Sequence, residues 1–266
     1  MQPTFEPDSV YFASGAYGST VAKAALASPR KARDVLDGIG RKETASLAFG
    51  SIWDQWHTGD IGKIITRPST YHDVKTGEEK PWHWASKVCK AWQADHDEYT
   101  VISSDDATRL RLMNNRIPPA ILDRIQESDH QAVFRVNQGH FEAQCKVDLW
   151  LSSIMRDIKT TSAPLEQFAS QAIKFGYHIQ AGWYRWIVQE LGGDLLPFEF
   201  IVTETMSPYR TMLFQPDTAW LEYGDSEAQR AVSILSHCAR TGDWSDTRPH
   251  IHTLSLPHWL NLNKEG

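Results

Sequence analysis

Three residues near the middle of the chain have the types and spacing of a hydrolytic metal site. They are Asp148, then Asp157 and Lys159 on either side of Ile158. Residues two apart on a strand share a face, so Asp157 and Lys159 point the same way while Ile158 turns to the core. Asp148 ends an alternating segment and is joined to the next by a short Ser152-Ser153 turn, so a hairpin brings the two carboxylates together. With the Ile158 backbone carbonyl they make a hard, oxygen-only donor set of the kind that suits Mg²⁺ or Mn²⁺. A cation there would hold and polarise a phosphodiester and ease the loss of a proton from water. The Lys159 ammonium would orient the attacking water and take up charge building on the phosphate. D-x(8)-D-x-K is a common spacing when it stands alone. Here it falls on strands, and a helix follows that carries Gln180 and Tyr184 at i, i+4 on one face.

The elements that must position these residues are written in the periodicity. Phe141, Ala143, Cys145 and Val147 alternate with polar partners up to Asp148, which predicts a strand with one buried face. Leu149 to Leu151, the Ser-Ser turn and Ile154 to Thr160 complete a hairpin. Ser162 and Pro164 open a helical region. Ile179, Trp183, Ile187 and Leu191 form one stripe of an amphipathic helix that Gly192-Gly193 stops. Strands are expected at Phe198 to Thr205 and Thr211 to Phe214, and a last long helix at Asp225 to Ala239. Upstream, residues 14 to 37 read as two helices, the first capped by Ser19 and the second opened by Ser28-Pro29. Leu47 to Trp56 reads as a buried helix with a close-packed Gly50. Residues 60 to 80 are polar and turn-rich and read as a loop. Trp84, Val88 and Trp92 predict a helix over Trp82 to Trp92, and Ser103-Ser104 cap another through Ala107, Leu110 and Met113, before Pro118-Pro119 interrupts. This order predicts an α/β fold, a mixed central sheet flanked by helices. The expectation is one domain over 1–266, with a helical N-terminal part over 1–45 and a catalytic core over about 130–215.

Composition sets bounds. The chain has 266 residues, 41% hydrophobic and 23% charged, ordinary for one globular α/β domain. No run of about 18 apolar residues predicts a membrane span. The N-terminus lacks the basic-then-apolar order of a secretion signal, so a cytoplasmic protein is expected. Cys89, Cys145 and Cys238 lie far apart with no C-x-x-C pair, which speaks for buried reduced thiols over a zinc or iron–sulfur site. A net charge of −6 does not exclude DNA, because phosphate contact depends on local clusters. Lys23, Arg30, Lys31 and Arg33 form one such cluster, readable as a solvated helix face or as a phosphate contact. The 11 tryptophans read as core or subunit-interface anchors. His250-Ile251-His252 alternates as on a strand but has no acidic or Cys partner nearby. Glu204 ends a strand expected beside the active ones, as a supporting or a surface carboxylate. There is no Walker motif, G-x-S-x-G or G-x-G-x-x-G, so neither ATP, a serine nucleophile nor a nicotinamide is expected.

In this arrangement the sequence resembles the PD-(D/E)XK nucleases, specifically the exonuclease VIII (RecE) branch of phage-type recombination exonucleases, with lambda exonuclease more distant. The resemblance rests on Phe49-Gly50-Ser51, Cys145-Lys146-Val147-Asp148, Asp157-Ile158-Lys159-Thr160-Thr161, Tyr177-His178-Ile179-Gln180 with Tyr184, and the tail Thr253-Leu254-Ser255-Leu256-Pro257-His258-Trp259. It implies a restriction-endonuclease-like core in which Asp148, Asp157 and Ile158 hold Mg²⁺ (Mn²⁺ substituting), and Lys159 is catalytic. Gln180 and Tyr184, as the Q-x-x-x-Y motif, would support the site. The family's Gly-x-x-x-His becomes Gly50 followed by Asp54, so either Asp54 takes the histidine's place as a metal ligand or His57 substitutes. Val147 stands where the proline of the family's name would be. Arg30, Lys31 and His178 are the implied DNA contacts. The implied activity is a 5′-to-3′ exonuclease on linear double-stranded DNA, leaving 3′ single strands for a RecT-like annealing partner in recombination or phage replication. The implied assembly is a ring, trimer or tetramer. Other readings of the same motif are an endonuclease, a Cas4-like end-trimmer (against which the missing four-cysteine set speaks) and a non-catalytic DNA-end-binding protein.

Overall fold

The computed structural model describes residues 2–40, 44–59 and 61–246. The tail Thr253–Trp259, with His250 and His252, lies outside the described residues. In chain order the elements are β1 (Thr4–Phe5), α1 (Asp8–Ala13), α2 (Ser19–Ala27), α3 (Pro29–Leu36), α4 (Ala45–Thr58), β2 (Ile64–Thr66), β3 (Thr70–His72), β4 (Glu79–Pro81), α5 (Lys87–Ala94) and β5 (Thr100–Ile102). There follow α6 (Ser104–Asn114), α7 (Pro119–Gln126), β6 (Asp129–Asn137), β7 (Glu142–Leu151), β8 (Ile154–Thr161), α8 (Phe168–Lys174), α9 (Tyr177–Glu190), β9 (Phe198–Glu204), β10 (Thr211–Phe214) and α10 (Thr218–Thr241).

Side-chain oxygens start four of the helices: Ser28, Thr44, Ser103 and Asp217 each accept a backbone N–H of the first turn of α3, α4, α6 and α10. Gly18, not Ser19, is the N-cap of α2. The stretch 60–80 holds three short strands, because β2 pairs in parallel with β5, and β3 pairs antiparallel with β4. The Trp82–Trp92 segment is helical only from Lys87, since Trp82 and Trp84 are held outside the helix under Arg67. Pro119 opens α7 instead of only interrupting, an N-terminal position its fixed φ favours. Strand β6 carries no alternation because Ala132, Val133 and Phe134 are buried in succession, with layers over both faces of the sheet.

The main sheet runs β1-β6-β7-β8-β9-β10, antiparallel except for the β8–β9 pair, so it is mixed as expected. The parallel pair needs a crossover, and α8 and α9 supply it. Helices α2, α9 and α10 cover one face, where Trp183, Ile187 and Leu235 meet Val147, Met155, Phe200 and Val202. Helices α4, α6 and α7 cover the other, where Phe49, Trp53, Leu110 and Ile121 meet Leu149, Ile158 and Ile201. Among the described residues no helix is long and apolar enough to cross a membrane, and all three cysteines are buried and free.

Candidate active site

The site lies where the sheet forks. Strands β7 and β8 pair only near their turn, from Leu151↔Ile154 to Leu149↔Arg156. The next positions outward are Asp148 and Asp157, and there the ladder ends. Instead the Ile158 N–H donates to Asp148 Oδ2 at 2.8 Å. Farther along β7 the N-terminal segment takes up the edge, with Tyr17 N–H donating to Glu142 O at 2.8 Å and Gln144 N–H to Tyr17 O at 2.9 Å. A fork of this kind can be reached by helices from both faces of the sheet.

Helix α9 reaches it from one face. Gln180 Nε2 donates to Asp157 Oδ1 at 2.6 Å and stands 3.4 Å from the Tyr184 hydroxyl. The i, i+4 pair thus meets Asp157 through Gln180, with Tyr184 behind it. Helix α4 reaches the fork from the other face with Asp54. It can lie close on β8 because Gly50 has no side chain: a Cβ there would stand 3.3 Å from Thr160 Oγ1. The Asp54 carboxylate is held by Thr58 Oγ1 at 3.2 Å and by Gln131 Nε2 at 3.1 Å. Strand alternation then places the rest. Ile158 pairs with Ile201 toward the α4 side, while Asp157 and Lys159 pair with Phe200 and Val202 toward α9.

The electrostatics follow from three carboxylates gathered out of water. Burial first, then the charges of Asp157 and Asp54, push Asp148 well above the ordinary carboxylate range. Burial and Asp157 raise Asp54 to about 6, against the pull of Lys159 and Thr58. The Lys159 ammonium forms an ion pair with Asp157 Oδ2. Burial works to lower the Lys159 pKa, but Asp157 and Asp148 outweigh it and hold the ammonium above its usual value. Asp157 Oδ2 is buried, and the Lys159 ammonium is set against it. Carboxylates gathered out of water cost energy unless cations balance them, and a divalent cation beside the Lys159 ammonium would do so. The donor set therefore fits a hard divalent cation with Asp148 and Asp157 as its protein ligands. Among the described residues no three His, Cys, Asp or Glu converge as a ready cage. Mg²⁺, which keeps several waters, does not require one.

The remaining candidates separate. Asp54 joins the carboxylates. His57 instead packs edge-on against Trp53 with ring centroids 4.4 Å apart, and burial, then His130, lowers its pKa to about 4. A histidine held neutral in the fold makes the protein acid-labile. As pH falls through 6.5 the unfolded chain gains a proton that the folded chain refuses until about 4, which costs up to about 3 kcal/mol. Urea unfolding at pH 7 and pH 5 should show a loss that His57→Phe reduces. Arg30 and Lys31 are exposed on α3, Arg30 beside Asp34 at 3.9 Å, and neither has a contact with the fork. His178 is buried against α10 with its ring stacked on Tyr223, centroids 5.0 Å apart. Glu204 is no surface carboxylate: it is buried, takes the Arg210 guanidinium and the Leu165 N–H, and is held below its usual range by Arg210.

Among the described basic residues of the N-terminal part, Lys23 reaches the site. Its Nζ lies 5.5 Å from the centroid of the Tyr177 ring, and Lys159 Nζ lies 5.1 Å from the same centroid. Burial, then the charge of Lys159, lowers Lys23 to about 8. The sequence carried a signal for it, a lone lysine within the small apolar run Val21 to Ala27. Gln131 had no such signal.

The forked mixed sheet, with its carboxylates and lysine on β7 and β8 and a glutamine on the following helix, is the PD-(D/E)XK nuclease architecture. Residues 18–254 match a family described as a PDDEXK-like domain of unknown function (DUF3799), and the chain belongs to that family. A solved structure of a candidate exonuclease from Eubacterium rectale superposes with a TM-score of 0.60, covering 97% of this chain and 96% of that one at 14% identity. At that identity the likeness is one of fold. No curated protein matches the chain.

Proposed function

We propose that this protein is a divalent-metal-dependent exodeoxyribonuclease, using Mg²⁺ or Mn²⁺, that degrades linear double-stranded DNA from its 5′ ends. One observation carries the nuclease reading: Asp148, Asp157, Lys159 and Gln180 meet at the open end of the β7–β8 ladder, with Asp157 buried between the Lys159 ammonium and the Gln180 amide. A divalent cation at Asp148 and Asp157 would supply a Lewis acid for the scissile phosphate. Gln180 fixes the plane of Asp157. Lys159 orients the attacking water and balances charge on the phosphate, and Lys23 adds a second ammonium on the same side of the fork. The end-directed habit is supported by the resemblance to recombination exonucleases and by the Eubacterium rectale structure. On the same ground we propose a homo-oligomeric ring around DNA and a single-strand annealing partner that receives the 3′ strand.

The test is digestion of a linear duplex labelled at its 5′ or 3′ end, with Mg²⁺, with Mn²⁺ and with EDTA, beside a covalently closed circle. Early loss of the 5′ label that needs metal and spares the circle is the expected result. Cutting of the circle would point to an endonuclease. Inertness with both metals, with DNA ends still bound, would point to a non-catalytic end-binding protein. Asp54→Asn should keep the fold but raise the Mn²⁺ concentration for half-maximal digestion about tenfold, because a neutral amide attracts the cation less than a carboxylate that ionises near pH 6. A metal titration of the digestion rate measures it.

A further inference from the structure

Gln131 lies opposite Asp148 at the one point where the β6–β7 register is interrupted. His130 pairs with Leu149 and Ala132 pairs with Val147, but no pairing joins Gln131 to Asp148. Its φ of 57° puts it in the left-handed region, which disfavours residues other than Gly, Asn and Asp. A glutamine gains nothing there from its own backbone. Such outliers persist only where surrounding contacts hold them, and they gather at functional sites.

The contacts that hold Gln131 are identifiable. Its Nε2 donates to Thr58 Oγ1 at 2.7 Å and to Asp54 Oδ2 at 3.1 Å, with Oδ1 at 3.4 Å. Thr58 is itself tied to Asp54, since its hydroxyl lies 2.9 Å from the Asp54 carbonyl and 3.2 Å from Oδ1. One amide from the sheet and one hydroxyl a helical turn away thus clamp the Asp54 carboxylate beside the strand position opposite Asp148. That carboxylate is repelled by its neighbours and would turn away from them if left free.

We infer that Gln131 is a positioning residue for the metal site: its left-handed backbone swings the amide onto Asp54 and keeps that carboxylate turned to the fork. The inference rests on the proposed metal-nuclease reading. The clamp supplies the fixed orientation that a carboxylate on a rotatable stem lacks.

Two substitutions separate this role from a merely structural one. Gln131→Ala removes the amide and keeps the backbone strained, whereas Gln131→Gly removes the amide and relieves it. The expected result is that both bind Mn²⁺ at least tenfold more weakly in calorimetric titration of the DNA-free protein. The Gly variant should also melt at a higher temperature than the Ala variant, although glycine ordinarily lowers stability. Wild-type Mn²⁺ affinity in either variant would overturn the inference, as would a Gly variant no more stable than Ala. Absence of Mn²⁺ binding by the wild type would sink the metal-site reading itself, and this inference with it.

Discussion

Lys159→Met is expected to slow digestion of linear duplex DNA by about a thousandfold, the effect typical of removing one preorganised donor from a developing anion. The same substitution should leave Mn²⁺ binding intact or tighter. Methionine keeps the apolar stem and removes the charge. The ammonium stands against Asp157 and is held charged by Asp157 and Asp148, so in the resting site it competes with a cation for the same oxygens. Its loss strengthens the pull of the carboxylates on a metal while taking charge away from the reacting phosphate. Asp157→Asn should behave in the opposite way and lose metal affinity and turnover together. Calorimetry with Mn²⁺ beside release of labelled nucleotide distinguishes the two. Were Lys159→Met to lose metal binding as well, the lysine would be organising the carboxylates rather than acting on substrate.

The contrast between these residues also shows what a sequence can reveal. Asp148, Asp157, Lys159, Gln180 and Tyr184 were legible because strand period two and helix period four fix which side chains share a face. The hairpin between Leu149 and Ile154 makes the two acids neighbours. Gly50 was legible as a close contact because a glycine inside an apolar helix needs a reason. Strand β6 was hidden, since burial from both sides erases the alternation that marks a strand. Without β6 the partner of Asp54 could not be found, because Gln131 meets it across 77 residues of chain and through a backbone conformation that glutamine does not announce. The basic cluster was visible, but which member lies beside Lys159 was not. Arg30 and Lys31 carry the charge expected of a phosphate contact, yet the α2–α3 turn directs them to solvent and sends Lys23 to the fork.

Gly182→Ala is the substitution with the largest expected cost in stability. By helix propensity alone it should help, by about 1 kcal/mol, because alanine is the better helix former. Packing decides the other way. A Cβ on Gly182 would stand 2.2 Å from the Gly224 carbonyl oxygen and 2.7 Å from the Asp225 nitrogen, and one on Gly224 would stand 2.3 Å from the His178 carbonyl oxygen. These neighbours are main-chain atoms of a packed helix, so no side chain can swing aside. Helices α9 and α10 would have to part by about 1 Å to restore ordinary contact distances. That movement loosens Trp183 and Ile187 from Ala228, Ala231 and Leu235, and strains the pair of bonds from Arg185 to Asp225, each 3.0 Å. The expected net loss is about 3 kcal/mol or more, the upper end for overpacking, read as a lowered urea midpoint. Gly50→Ala meets only a threonine hydroxyl at 3.3 Å, which can turn away, so its cost should stay within about 1 kcal/mol. The two differ in function as well. Gly182 lies between Gln180 and Tyr184 on the helix that steadies Asp157, so the Gly182→Ala protein that does fold should digest DNA more slowly per folded molecule. Full specific activity in that fraction would mean that the fork holds its geometry without α9.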